Sequence, residues 1–330
     1  MAPGTFPILF ITATRIGDAV LASGLIRRLS EEIPGARFTI VAGPAAAPLF
    51  AEVPGLARII PFSKEKDGSH WFGLWRRVRG TRWGLIVDLR GSGVSRFLRA
   101  RRRAIHRKPA TPMHKVLEAA RTLRLDDDPP APFLFTSEAI EARAAELTAG
   151  RGPILALAPA ANWVGKTWPL ERFSQVAMRL LGADGPLHGG RLMVLGGPED
   201  AKMSTQLKDV TARDRLINLA GRVDLLTAFA CLKRARLFIG NDSGTMHLAA
   251  AAGTPTLGLF GPSDEALYAP WGPDARMVRG PRSYAQIRAA DPHFQQAVCH
   301  MMDLSVDRVV DSAHDLLTAT EPLTAETKHA

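Results

Sequence analysis

Two short stretches of this chain carry the residue types that bind a phosphorylated ligand, and a third carries a carboxylate placed to act on one. The stretch Gly240-Asn241-Asp242-Ser243-Gly244-Thr245-Met246-His247 follows an apolar run, Leu237–Ile239, and opens a helical pattern. A small-residue turn at a helix N-terminus leaves backbone N–H groups unpaired and adds the positive end of the helix dipole, which suits a diphosphate. Ser243 and Thr245 add hydroxyl donors, and His247 falls in the first turn. The plainer alternative is capping by Asp242 or Ser243. The stretch from Ala158 to Pro169 also leads from an apolar run into a helical pattern, and it contains the amide of Asn162 and the ammonium of Lys166. Alone, Lys166 reads as a surface lysine. Beside a donor-rich turn in the same half of the chain, the pair reads as a nucleotide-diphosphate site. Neither G-x-x-x-x-G-K-[ST] nor, after the first strand, G-x-G-x-x-G occurs, so these two phosphate-binding patterns do not apply.

The third stretch is Thr12-Ala13-Thr14-Arg15-Ile16-Gly17-Asp18. Asp18 opens a helix at the carboxyl end of the first strand. It reads either as an N-cap or as a general base facing a cleft. In the second role it takes the proton of a hydroxyl attacking an anomeric carbon, while helix dipole, Lys166 and hydroxyls stabilise a departing diphosphate. None of these three stretches carries a paired-carboxylate or other metal-binding cluster. The expectation is a site without metal or resident cofactor.

The elements that must hold these residues alternate. Apolar strands at 8–11, 38–41, 59–60 and 85–89 are separated by helical patterns at 18–32, 45–51 and 72–79. An acidic, proline-rich loop at 126–135 and a helix at 138–148 lead to a glycine-rich linker at 149–153. The alternation then restarts, with strands at 154–158, 192–195, 216–218, 237–240 and 256–260 and helices at 170–181, 201–210, 225–235, 245–252 and 306–317. This pattern predicts an α/β protein of two Rossmann-like doubly wound domains, residues 1–150 and 151–330, with the site in the cleft between them.

A hydrophobic content of 46% with 22% charged residues places the chain among globular proteins. No apolar run of about 18 residues exists to cross a membrane. No secretory leader is legible, and Cys231 and Cys299 fit no disulfide framework, so the expectation is the reducing cytoplasm. The net charge is +10, and Arg96, Arg99, Arg101, Arg102, Arg103, Arg107 and Lys108 cluster within thirteen residues. The cluster reads as a solvated helix face or as a patch for anionic lipid head groups or an anionic acceptor. Nucleic acid is disfavoured, because aromatic residues are not interleaved with these charges as a base-stacking surface would need.

With these motifs in place, the chain resembles glycosyltransferase family 9, the heptosyltransferases that build the inner core of bacterial lipopolysaccharide. The resemblance rests on Arg15-Ile16-Gly17-Asp18-Ala19, on Lys166-Thr167-Trp168-Pro169 with Glu171-Arg172-Phe173, and on the run from Asp242 to Ala250. It continues through Gly253-Thr254-Pro255 and the run Leu259 to Ser263. It implies a GT-B fold and an inverting, metal-independent transfer of heptose. The donor would be ADP-heptose, a co-substrate rather than a cofactor, and the acceptor would be built on lipid A and Kdo at the inner-membrane surface. Matched motif by motif, Asp18 is the base, while Lys166 and Asn162 meet the donor phosphates. Asp242 holds the sugar, and Ser243, Gly244 and His247 line the diphosphate. Glu199 falls near the ribose and Val223 near the adenine. Arg15 joins Arg96, Arg99, Arg101, Arg102 and Arg103 on the acceptor side. The resemblance further implies that the last helix, 306–317, packs back on the first domain. Departures from the family pattern fall at Arg15, at Ala160 and at Thr245, where serine, glycine and proline are common. Two alternatives stand beside this reading: a member using another nucleotide-sugar or acceptor, and a non-catalytic nucleotide-binding GT-B protein.

Overall fold

The computed structural model describes residues 4–63, 68–201, 207, 210–294 and 297–321. The first half runs β1 (Phe6–Ile11), α1 (Ile16–Leu21), α2 (Gly24–Glu32), β2 (Ala36–Ala42), β3 (Leu56–Pro61), α3 (Ser69–Val78), β4 (Trp83–Asp88), β5 (Ala100–Ile105), α4 (Lys115–Thr122) and α5 (Glu138–Leu147). Its five strands form one sheet in the order β3-β2-β1-β4-β5. Every pairing is parallel, with Ile8 opposite both Phe38 and Leu85. β4 is buried along its whole length and β1 from Ile8 to Ile11. Strands covered on both faces must be apolar throughout, which is why they read as continuous runs.

The second half runs β6 (Ile154–Ala158), α6 (Leu170–Leu181), β7 (Arg191–Val194), β8 (Leu216–Asn218), α7 (Leu225–Leu232), β9 (Leu237–Asn241), α8 (Gly244–Ala251), β10 (Thr256–Phe260), α9 (Glu265–Tyr268), β11 (Ala275–Arg279), α10 (Tyr284–Ala290) and α11 (Val306–Ala319). The six-stranded parallel sheet has the order β11-β10-β9-β6-β7-β8. Strand order reverses between β1 and β4 in the first sheet and between β6 and β9 in the second. A crevice opens at the carboxyl ends of such switch points, so the turns after β1, β6 and β9 face ligand space.

Several expectations need correction. The helix expected over 18–32 is two helices. The segment at 130–131 crosses so closely that a Cβ on Gly24 would lie 2.2 Å from the Ala131 carbonyl oxygen. There Ser23 Oγ donates to the Val20 carbonyl and accepts from the Phe133 N–H. The arginine cluster is no helix face, since Arg101, Arg102 and Arg103 lie on the edge strand β5. The last helix does not return to the first half. α11 packs on α6, β10 and β11, and Val309, Val310, Ala313, Leu316 and Leu317 join the apolar core of the second half. Instead α5, expected in the first half, packs on α7, and Glu141 accepts from Lys233 Nζ at 2.6 Å. The helix expected over 201–210 lies largely outside the described residues.

Candidate functional site

The turns after β1 and β9 meet. A Cβ on Gly17 would lie 2.9 Å from His247 Cδ2, and one on Gly244 would lie 2.9 Å from Ile16 Cγ2. Only glycine permits the approach. The N-termini of α1 and α8 therefore abut across the crevice, and their dipoles direct positive potential into it. A cavity of about 570 Å³ lies along this contact. Among its lining residues are Arg15, Asp18, Asn162, Lys166, Asp242, Ser243, Gly244 and His247.

Capping does not account for these residues. The N-cap position of α1 belongs to Arg15, and Asp18 sits in the first turn with no hydrogen bond or ion pair to another described residue. Burial pushes the Asp18 pKa up. Arg15, Lys115 and Lys166 oppose that shift, and Asp242 reinforces it. Ser243 occupies the N-cap position of α8, yet its side chain caps nothing. Its buried Oγ has no hydrogen-bond partner among the described residues.

Asp242 has a different environment. Its buried Oδ2 accepts from Lys166 Nζ at 2.5 Å and from Ser263 Oγ at 2.5 Å. His247 Nε2 lies 4.0 Å from Asp242 Oδ1. Desolvation pushes the His247 pKa down to about 4, so the imidazole is neutral near pH 7. Asn241 holds the frame. Fully buried, it accepts from the Trp168 N–H at 3.2 Å and donates to the Pro159 carbonyl at 2.7 Å. These two bonds tie the turn carrying Lys166 to the turn carrying Asp242. Asn241 therefore sets their spacing.

Glu199 and Val223 stand apart from this cavity. They sit on the loops after β7 and β8, which touch where a Cβ on Gly221 would meet Pro198 at 2.6 Å. Glu199 is exposed and Val223 half-buried. Of the arginines, Arg15 alone lines the crevice. Arg96 and Arg103 border a separate cavity of about 510 Å³ with Arg107, Arg121 and Arg124. Arg99, Arg101 and Arg102 are exposed. Sequence reasoning missed a group of residues from α4 and α9. His114 caps α4 by accepting from the Val116 N–H, and its Nε2 lies 2.9 Å from the Ala269 carbonyl oxygen, which joins the two halves. Lys115 faces Asp18 and lies 5.9 Å from the Tyr268 ring, which lines the cavity. No motif marks this group. The one available signal was an isolated His-Lys pair ahead of an amphipathic helix.

Two parallel-sheet α/β halves joined by facing strand-to-helix turns are the GT-B arrangement of glycosyltransferases. The sequence profile of glycosyltransferase family 9 (heptosyltransferase) matches residues 74–296. The chain belongs to that family, and it is a glycosyltransferase. It is 26% identical to the lipooligosaccharide heptosyltransferase 2 of Haemophilus ducreyi, over 94% of this chain and 99% of that one. Among solved structures it is similar to the Escherichia coli ADP-heptose LPS heptosyltransferase II, with a TM-score of 0.73, 20% identity and coverage of 96% of this chain and 100% of that one. It is also similar to a second E. coli heptosyltransferase, solved with ADP, with a TM-score of 0.69, 17% identity and coverage of 94% and 100%.

Proposed function

We propose that this chain transfers heptose from ADP-heptose to the inner core of lipopolysaccharide, with inversion and without a metal, in the cytoplasm at the inner face of the inner membrane. One observation carries the reading. An unpaired, half-buried carboxylate, Asp18, faces a donor-rich helix N-terminus across a contact that only glycine allows. Residues 1–150 receive an acceptor built on lipid A and Kdo, and residues 151–330 hold the donor. The Asp18 carboxylate takes the proton of the acceptor hydroxyl as its oxygen bonds to the anomeric carbon from the face opposite the diphosphate. The bond from that carbon to the phosphate oxygen breaks, and ADP leaves with the electron pair. A raised pKa brings a carboxylate closer to the basicity that proton transfer near neutral pH requires.

The leaving charge falls on the N-terminus of α8, the Ser243 hydroxyl, the neutral His247 imidazole and Lys166, with Asn162 beside them. Fixed donors of this kind stabilise a developing charge without a metal ion. Asp242, anchored by Lys166 and Ser263, holds sugar hydroxyls. Glu199 and Val223 take ribose and adenine farther along the carboxyl edge of the second sheet. ADP is favoured over other nucleotides because the similar E. coli heptosyltransferase was solved with ADP. Arg15 at the crevice, with Arg96, Arg99, Arg101, Arg102 and Arg103 beyond it, meets the acceptor's phosphates and carboxylates.

The test is transfer from ADP-heptose, GDP-sugars and UDP-sugars to a set of truncated lipopolysaccharide acceptors, with and without a chelator. The expected result is heptosylation from the ADP donor alone, with an inverted anomeric centre by NMR and an unchanged rate in chelator. Faster transfer from another nucleotide-sugar would overturn the donor assignment. Loss of transfer in chelator would overturn the metal-free mechanism.

A further inference from the structure

The charge of this chain is gathered in one place. Residues 69–108 hold twelve basic side chains: Arg76, Arg77, Arg79, Arg82, Arg90, Arg96, Arg99, Arg101, Arg102, Arg103, Arg107 and Lys108. They hold one acid, Asp88, which is fully buried. The other residues then carry 30 basic and 31 acidic side chains, from totals of 42 and 32. The positive surface therefore belongs to α3, β5 and the chain between them.

The same region exposes aromatic rings. Phe72 and Phe97 are 62% and 80% exposed, and no other aromatic side chain among the described residues is exposed. With Trp71, Trp75 and Val94 they line an apolar concavity between α3 and the turn at Val94–Phe97. Phe72 stacks on Trp75 with centroids 5.8 Å apart. The Arg79 guanidinium sits 4.8 Å above the Trp75 ring. Arg90, just after β4, reaches over Trp71 at 5.3 Å, and Trp71 packs on Phe62, just after β3. The aromatic face thus begins at the carboxyl edge of the first sheet, the edge that carries Asp18.

We propose that this face inserts into an anionic lipid bilayer, with Phe72, Phe97, Trp71 and Trp75 at the boundary between head groups and acyl chains and the flanking arginines on lipid phosphates. Tryptophan and phenylalanine beside guanidinium groups match that boundary chemically, since each ring is apolar while the arginines reach head groups. The charge argues against a second copy of the chain, because a two-fold contact through this face would set one arginine fringe against another. The inference deepens the proposed function: a surface docked here turns the carboxyl edge of the acceptor half toward lipid-borne sugars.

The test uses the full chain and vesicles of phosphatidylglycerol and phosphatidylethanolamine, with phosphatidylcholine vesicles as control. The wild type is expected to co-sediment with the anionic vesicles alone, and brominated lipids are expected to quench tryptophan fluorescence. Phe72→Ser/Phe97→Ser changes only exposed side chains and is expected to weaken vesicle binding about tenfold or more. Thermal protection by ADP and transfer to a delipidated acceptor are expected to survive in that variant. Vesicle binding as tight as that of the wild type, or no quenching by brominated lipids, would overturn the inference. So would concentration-dependent dimerisation that the double substitution abolishes without any vesicle binding by the wild type. If the ADP and delipidated-acceptor arms fail in the wild type as well, the functional reading fails on its own, independently of the vesicle result.

Discussion

The turns after β1 and β9 are built alike. Each ends a buried parallel strand, opens a short helix, presents an aspartate and uses a glycine to meet the other. Their carboxylates nevertheless live in opposite circumstances. Asp242 is clasped by Lys166 and Ser263, whereas Asp18 has no described partner and its pKa is raised by burial. In the proposed reading the paired carboxylate serves as a fixed acceptor for sugar hydroxyls and the unpaired one as the base. The lesson is that motif and strand position place an aspartate at a switch point, but its neighbours decide which chemistry it performs.

The sharpest way to break the comparison is Asp18→Asn. If Asp18 is the base, transfer should fall about a thousandfold, while ADP affinity stays within about twofold because no donor contact passes through this side chain. Its stability should move the other way from its activity. The folded pKa lies above the unfolded value, so near neutral pH the ionised carboxylate costs the folded state free energy, and a neutral amide removes that cost. A melting temperature equal to or above that of the wild type is expected. Calorimetry, ADP titration and a transfer assay on one preparation decide the matter. Near-normal transfer would remove Asp18 from the proton step.

Much of this geometry was legible in the chain because buried parallel strands must be apolar. β4, β6, β9 and β10 stand out as short runs, and each strand-end turn then follows. β5 was not legible, because an edge strand written Ala-Arg-Arg-Arg-Ala-Ile leaves its arginines in solvent and hides the period of two. The break before Gly24 depends on carbonyls a hundred residues away. The exchange of α5 for α11 as the helix packed against a neighbour of interest is likewise tertiary, since both helices offer an apolar stripe and neither sequence names its partner. Lys115 and Tyr268 reach the site from elements without a motif, so only packing reveals them.

A second test sharpens the contrast through pH. His247 beside Asp242 has its folded pKa pushed down to about 4 from an ordinary 6.5. Between those values the unfolded chain binds a proton that the folded one refuses, so stability is lost as pH falls from 6.5 towards 4. The full shift corresponds to roughly 3 kcal/mol. Asp18 acts in the opposite sense, since protonating it relieves a cost. Urea unfolding at intervals across this window should show the wild type losing stability and His247→Leu following a flatter profile. Identical slopes would mean that the imidazole is hydrated and not sealed against α1.

The smallest expected effect separates a donor turn from an ordinary helix start. A serine that caps a helix stabilises it, and its loss to alanine typically costs about 1 kcal/mol. Ser243 occupies the N-cap position but accepts no N–H, and its hydroxyl is buried without a described partner. An unsatisfied buried hydroxyl is itself unfavourable by roughly 1–3 kcal/mol. Ser243→Ala should therefore leave the ligand-free protein as stable as the wild type or more so, by up to about 1 kcal/mol. The loss should appear only when the donor is present, as an ADP affinity about tenfold weaker, the lower end of the worth of one hydrogen bond to a charged oxygen. Denaturation with and without saturating ADP measures both. A variant destabilised equally in both conditions would return Ser243 to capping and remove its hydroxyl from the diphosphate site.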